Sequence, residues 1–240
     1  MKLVNLKTRE NLTPCNTPLL LFASGFGFLP YAFENLKLPQ NALSAMLYDY
    51  SDFSNAKNLL KVLESFPQIH LIAWSMGVCV AQELFSNVQI ESALAINGTI
   101  FGVHQNFGIP PKIFSLTQQK LQREAFLNLA FGMGAFGGEL VSENAHEKSL
   151  LAPTNSLKNE LKSLQEFCAQ RGENPRQSAF FWHKTIISND DKIFSPKAQN
   201  LAWEAYRQTH KDFVILHTNA PHFVFVDEKL WEEQCLPRNL

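Results

Sequence analysis

No stretch of this chain is apolar for long enough to cross a bilayer. An early candidate, Leu19 to Ala23, has five residues where a spanning helix needs about twenty. The opening MKLVNLKTRE also lacks the apolar core of a signal peptide, so a cytoplasmic location with no membrane partner is expected. Charge of one sign is missing too: 21 Lys+Arg face 22 Asp+Glu, a net of -1, which leaves no global field to draw nucleic acid. The four cysteines, Cys15, Cys79, Cys168 and Cys235, stand apart without a C-x-x-C pair, which excludes a zinc-finger pattern and a disulfide framework. Six of the seven histidines (His70, His104, His146, His183, His210 and His217) show no ligand spacing, so no metal and no cofactor are expected.

What is present is a rhythm of short apolar runs separated by helical patterns. Leu19 to Ala23, Leu43 to Tyr50, Ile69 to Ala73 and Ser92 to Ile96 read as strands buried on both faces, with helices over Asn55 to Ser65 and Met76 to Ser86. The rhythm stops after Gly98 and resumes with a strand over Ala179 to Ile187, a helix over Lys197 to Arg207, a strand over Phe213 to His217 and a last helix near Asp227 to Gln234. The interruption is too long for a structureless loop and carries helical patterns at Gln118 to Phe131 and Ser156 to Ala169. The expected fold is α/β: one domain over 1-240, a mostly parallel sheet flanked by helices, with 103-178 inserted as a helical lid.

Ser75 lies in Ala73-Trp74-Ser75-Met76-Gly77, directly between a strand and a helix. A sharp strand-turn-helix elbow exposes a serine hydroxyl only if the residues two before and two after are small, and Ala73 and Gly77 meet that demand. The helix that follows aims its first amides at a reacting oxygen, which makes the Met76 N–H one oxyanion donor. Phe26, in Ser24-Gly25-Phe26-Gly27 after an earlier strand, is the candidate for the second. A hydroxyl needs a base, and His222 follows the run FVILH in the loop Asn219 to Phe223. The imidazolium needs a carboxylate: Asp191 is preferred to Asp190, because Asp-Lys-Ile-Phe-Ser-Pro places a short apolar step and Pro after it. The order Ser, Asp, His along the chain is that of α/β hydrolases. Trp74, beside the nucleophile, is a candidate wall of the acyl pocket.

Other signals point to structure rather than chemistry. Gly132-Met133-Gly134-Ala135-Phe136-Gly137 satisfies G-x-G-x-x-G but follows a helical pattern instead of a strand, which argues against dinucleotide binding. Asp49 and Asp52 follow a strand and read as loop hydrogen-bonding groups, and His70 reads as a packing residue within its strand.

Several longer pieces are specific. Tyr48-Asp49-Tyr50, Leu71 to Val78 (LIAWSMGV), Ala95 to Thr99 (AINGT), Gly108 to Phe114 (GIPPKIF), Asp191 to Phe194 and Pro221-His222-Phe223 resemble the BioG family of pimeloyl-carrier-protein methyl ester carboxylesterases. The resemblance extends over residues 19 to 225, and Ser24-Gly25-Phe26-Gly27 stands where the family pattern is Gly-Trp-Gly. It implies hydrolysis of the methyl ester on a pimeloyl chain carried by acyl carrier protein, in biotin synthesis, with that carrier as a transient partner. The same triad would also serve a short-chain carboxylesterase or a thioesterase, and a non-catalytic binding protein on the same fold is the more distant alternative.

Overall fold

A computed structural model describes residues 1–13, 15–132, 149–172 and 174–237. Seven strands, β1 (Lys2–Asn5), β2 (Leu19–Ala23), β3 (Leu43–Tyr48), β4 (Ile69–Trp74), β5 (Ser92–Ile96), β6 (Lys184–Ser188) and β7 (Val214–Thr218), form one sheet in the order β1-β3-β2-β4-β5-β6-β7. Every pairing is parallel except β1 with β3. Strand β1 was invisible to the apolar pattern because it is a short edge strand with one buried residue, Leu3. The central strands β2 and β4 are buried along their whole length, as parallel strands covered on both faces must be. Alternate residues feed two cores: Leu19, Leu21, Leu71 and Ala73 on one face, Leu20, Phe22, Ile72 and Trp74 on the other.

Helices α1 (Ala56–Leu63), α2 (Met76–Leu84) and α6 (Pro196–Thr209) connect successive strands. Between β5 and β6 come α3 (Pro111–Lys120), α4 (Arg123–Phe131) and α5 (Thr154–Arg171). The pattern read as one helix over 118–131 is therefore two, broken where Leu121 and Gln122 turn extended. Pro111 opens α3 at its first turn, where a missing N–H costs nothing. The strand expected from Ala179 starts only at Lys184, where its register with Leu94 begins. The residues before it turn inward instead, burying Phe180 and Trp182, the latter edge-on to Trp203. The C-terminal pattern folds as a short helix, Glu228–Leu230, capped by Asp227 and continued by a π-helical turn over Trp231–Cys235. Among the described residues no helix is long and apolar enough to cross a membrane.

The segment after β5 is joined to the sheet's loops by backbone pairing. Phe28 bridges Leu151, Leu29 donates to the Leu150 carbonyl, and Ala152 donates to that of Gly27 at 2.9 Å.

Candidate active site

Ser75 caps β4 and opens α2 with φ 57 and ψ -128, a conformation that costs a non-glycine residue about 1–3 kcal/mol and is held only by its surroundings. Those surroundings are tight. A Cβ on Gly77 would lie 2.3 Å from the Ala23 carbonyl oxygen, and one on Gly98 would lie 2.2 Å from the carbonyl oxygen of Ser75 itself. A Cβ on Gly25 would meet the Ser75 Cβ at 2.9 Å, so the loop after β2 lies against the elbow. Backbone strain at Ser75 thus follows from β2, β4 and β5 meeting at small residues.

His222 Nε2 lies 3.0 Å from Ser75 Oγ, and His222 Nδ1 lies 2.8 Å from Asp191 Oδ2. The structure brings Asp191, not Asp190, to the imidazole: Asp191 is buried, whereas the Asp190 side chain is 73% exposed and pairs with Lys192. Asp191 is held by the amides of Ile193 (2.8 Å) and Phe194 (2.9 Å) on Oδ1 and by Gln199 Nε2 (3.1 Å) on Oδ2. A carboxylate accepting this many N–H groups has no freedom left to rotate away from the histidine. This arrangement can relay a proton from a hydroxyl to an imidazole whose far nitrogen is fixed by a buried acid.

The amides of Phe26 and Met76, the expected oxyanion donors, have no protein acceptor among the described residues. The Phe26 ring packs edge-on against Phe126 of α4 at 5.3 Å. Trp74 is fully buried among Phe28, Phe33, Phe223 and Phe225, so contact with an acyl chain would require those rings to move. Its Nε1 donates to the His222 carbonyl at 3.0 Å, a use that adjacency to the nucleophile did not suggest. A cavity of about 370 Å³ opens beyond Phe223, lined also by Tyr31, Phe131, Leu150, Phe225 and Trp231.

The residues set aside stay apart from this cluster. Asp49 pairs with Lys2 at 2.9 Å, Asp52 accepts from Ser54, and His70 bonds Ser92 Oγ at 2.8 Å across the β4–β5 pair. His104, His183 and His210 are likewise engaged with Phe107, Ala93 and Tyr206 respectively. His146 and the glycine motif beyond Gly132 lie outside the described residues. Among the described residues no three His, Cys, Asp or Glu side chains are grouped to hold a metal ion.

Three polar residues near the site escaped the reading of the sequence. Asn97, buried with φ 44, sits one residue past β5 and joins the ends of three elements. Gln199 looks like a surface helix residue but is wholly buried behind Asp191. Glu160, on α5, is buried and accepts from the Gly27 amide at 3.3 Å; burial pushes its carboxyl up to about 7. Only the Asn-Gly pair ending an apolar run offered a local signal, since Gln199 and Glu160 occupy ordinary helical positions.

A parallel sheet with helices on both sides, a strained serine after its central strand, and an acid and a histidine at the ends of later strands define an α/β-hydrolase fold. Among solved structures, MGS-M2, an α/β hydrolase enzyme from a Medee basin deep-sea metagenome library, shares that fold at TM-score 0.55 and 11% identity, over 96% of this chain and 95% of that one. The family is narrower: residues 7–232 match the model of the pimeloyl-ACP methyl esterase BioG, and the chain belongs to the BioG family. The crystal structure of BioG from Haemophilus influenzae superposes at TM-score 0.71 with 28% identity, over 90% of this chain and 94% of that one. A malonyl-[acyl-carrier protein] O-methyltransferase of Bacteroides fragilis (strain 638R) is 34% identical over 226 residues, 93% of this chain, and the chain spans 42% of that relative's length.

Proposed function

We propose that this protein is a serine carboxylesterase that hydrolyses the methyl ester of pimeloyl-acyl carrier protein, releasing methanol and the free carboxylate, in biotin synthesis. One observation carries the reading: a strained Ser75 linked at 3.0 Å to His222 and through it at 2.8 Å to a buried Asp191, in a chain of the BioG family. The partner is the carrier protein that presents the acyl chain. Residues 1-240 act as a single α/β-hydrolase domain in this reading, with 103-178 as its helical lid insertion.

In this mechanism His222 Nε2 takes the proton of Ser75 Oγ as the oxygen attacks the ester carbonyl. The amides of Phe26 and Met76 hold the oxyanion, a contribution of about 10²- to 10³-fold per donor. The tetrahedral adduct collapses, His222 returns the proton to the departing methoxide, and methanol leaves. Water, deprotonated by the same nitrogen, then attacks the acyl-Ser75 ester, and His222 returns that proton to Ser75 Oγ as the acid leaves. Asp191 keeps the imidazole in the tautomer with its proton on Nδ1 and stabilises the imidazolium. Ser75 and His222 are only 4% and 2% exposed, so the chain carrying the ester reaches them after side chains of the surrounding wall shift.

The methyltransferase name of the Bacteroides fragilis relative describes a protein more than twice as long as the matched part. A serine with a general base suits hydrolysis, and the ester reading follows the part that this chain shares. The test is incubation with the methyl ester of pimeloyl-carrier protein, following the acid by mass, with Ser75→Ala as control. Demethylation by the wild type and a loss of up to about 10⁶-fold in a folded Ser75→Ala are expected. An intact carrier-bound ester beside rapid cleavage of a simple aryl ester would overturn the substrate assignment. Near wild-type turnover by folded Ser75→Ala would overturn the mechanism.

A further inference from the structure

The sheet order sets a distance problem. His222 follows β7, and β7 is separated from β4, which carries Ser75, by β5 and β6. At about 4.8 Å between strands, the loop after β7 must travel back roughly 14 Å across the sheet's end to bring the imidazole to the hydroxyl. The imidazole edge contacts are used for Asp191 and Ser75, so the main chain of the loop needs other anchors.

The anchors stand one on each strand crossed. At the end of β6, Ser188 Oγ donates to the Pro221 carbonyl at 3.1 Å. Past β5, Asn97 Nδ2 donates to the His222 carbonyl at 2.9 Å and approaches that of Pro221 at 3.4 Å. At the end of β4, Trp74 Nε1 donates to the same His222 carbonyl at 3.0 Å. Asn97 is the pivot of this path. Its Oδ1 accepts from the Ser188 amide at 2.7 Å, its Nδ2 also meets Ser188 Oγ at 2.7 Å, and its own amide donates to the Ile186 carbonyl at 3.0 Å. It is completely buried and has φ 44, which the main chain of a branched or bulky residue would resist and which asparagine tolerates. A planar amide supplies a donor and an acceptor on one short arm, and no other short side chain offers both in that geometry.

We propose that Asn97 is a positioning residue for His222, acting with Trp74 through the His222 carbonyl to set the distance between the imidazole and Ser75. The inference rests on the reading of His222 as general base. Asn97→Asp keeps the shape and the acceptor for the Ser188 amide but turns a carboxylate oxygen toward two carbonyls that need a donor. The loop carrying His222 then moves, and a shift near 1 Å at the reacting atoms costs about 10²-fold in rate.

The experiment compares wild type, Asn97→Asp and Asn97→Gly, which keeps the positive φ and removes the side chain. Each is normalised to the serine that an active-site phosphonate titrates, so misfolded protein is not counted. For Asn97→Asp, kcat is expected to fall about 10²-fold with KM unchanged, as for an interaction made mainly in the transition state. The far-downfield proton resonance of the His222–Asp191 hydrogen bond is expected to move in the same variant. A folded Asn97→Asp with wild-type kcat and an unmoved resonance would overturn the proposal. If Asn97→Asp does not fold, Asn97→Gly decides: a lowered kcat at unchanged KM supports the proposal, and wild-type kcat refutes it. A wild type that takes up no phosphonate on Ser75 would remove the general-base reading itself, and this inference with it.

Discussion

The sheet and the segment inserted between β5 and β6 share two apolar cores and differ in the polar groups added to them. In the sheet, Leu19 to Ala23 and Ile69 to Trp74 are buried side chains on a parallel backbone ladder, and stability comes from apolar area and main-chain hydrogen bonds. The inserted helices pack Leu127 and Ala130 of α4 and Leu157, Leu161 and Leu164 of α5 into the same two cores, and add buried polar groups at the junction. Arg171 of α5 donates to the Ile100 and Phe101 carbonyls and lies 3.7 Å from Glu83 of α2. Glu160 of the same helix reaches the Gly27 amide, while Arg123 of α4 braces the insertion from within, donating to the Leu151 carbonyl. Such contacts are costly when one partner is lost, because the other stays buried and unpaired. The frame is therefore built to hold geometry, and the junction is the part that a single charge or proton can loosen.

The two regions can be separated experimentally. Within the frame, Asp191→Asn is expected to lower kcat by about 10⁴-fold with little change in melting temperature, because the histidine tautomer changes while the fold does not. Asp190→Asn, whose side chain faces solvent, serves as its control; a greater loss there would exchange the two roles. At the junction, Arg171→Met is expected to cost about 3 kcal/mol, read from urea unfolding, since two carbonyls lose their donor and Glu83 loses a buried cation beside it. Unchanged stability would show that the insertion is held by its apolar contacts alone.

Glu160→Gln sharpens the comparison through pH. The folded carboxyl titrates near 7, raised by burial from an ordinary value of 4.5. Between those values the folded state binds more protons than the unfolded one, so stability falls as pH rises through this window and the penalty is complete above 7. That penalty is on the order of 3 kcal/mol at most. The Gln variant is therefore expected to gain stability at pH 8 and nothing at pH 4, measured by thermal unfolding at both. A constant difference between the two would mean that Glu160 ionises freely.

Much of the site was legible because elbow chemistry is local. Ala73 and Gly77 had to be small around Ser75, and the apolar run before it and helical pattern after it identified the turn. The preference for Asp191 over Asp190 also came from nearby residues, and the amides of Ile193 and Phe194 that bind it supply the physical reason. The helix boundary at Leu121 and the late start of β6 were not legible. Both depend on what lies alongside: the ladder with β5 runs from Lys184, and before it only the His183 amide of the main chain reaches β5, at the Ala93 carbonyl, whatever the apolar content of Ala179 to His183.

Asn97, Gln199 and Glu160 were hidden for a related reason. Asn97 and Glu160 bond His222 and Gly27 across the fold, Gln199 turns back eight residues to Asp191, and a polar residue in a helix or after a strand is usually solvated. The sequence by itself settles the turn at Ser75, the alternation that buries β2 and β4, and the chain order of serine, acid and histidine, since each depends on sterics or periodicity within a few residues. Folding decides how the loop after β7 crosses two strands to reach that serine, and which buried amides hold it there. Those contacts join residues more than a hundred positions apart, and only the packed sheet makes them neighbours.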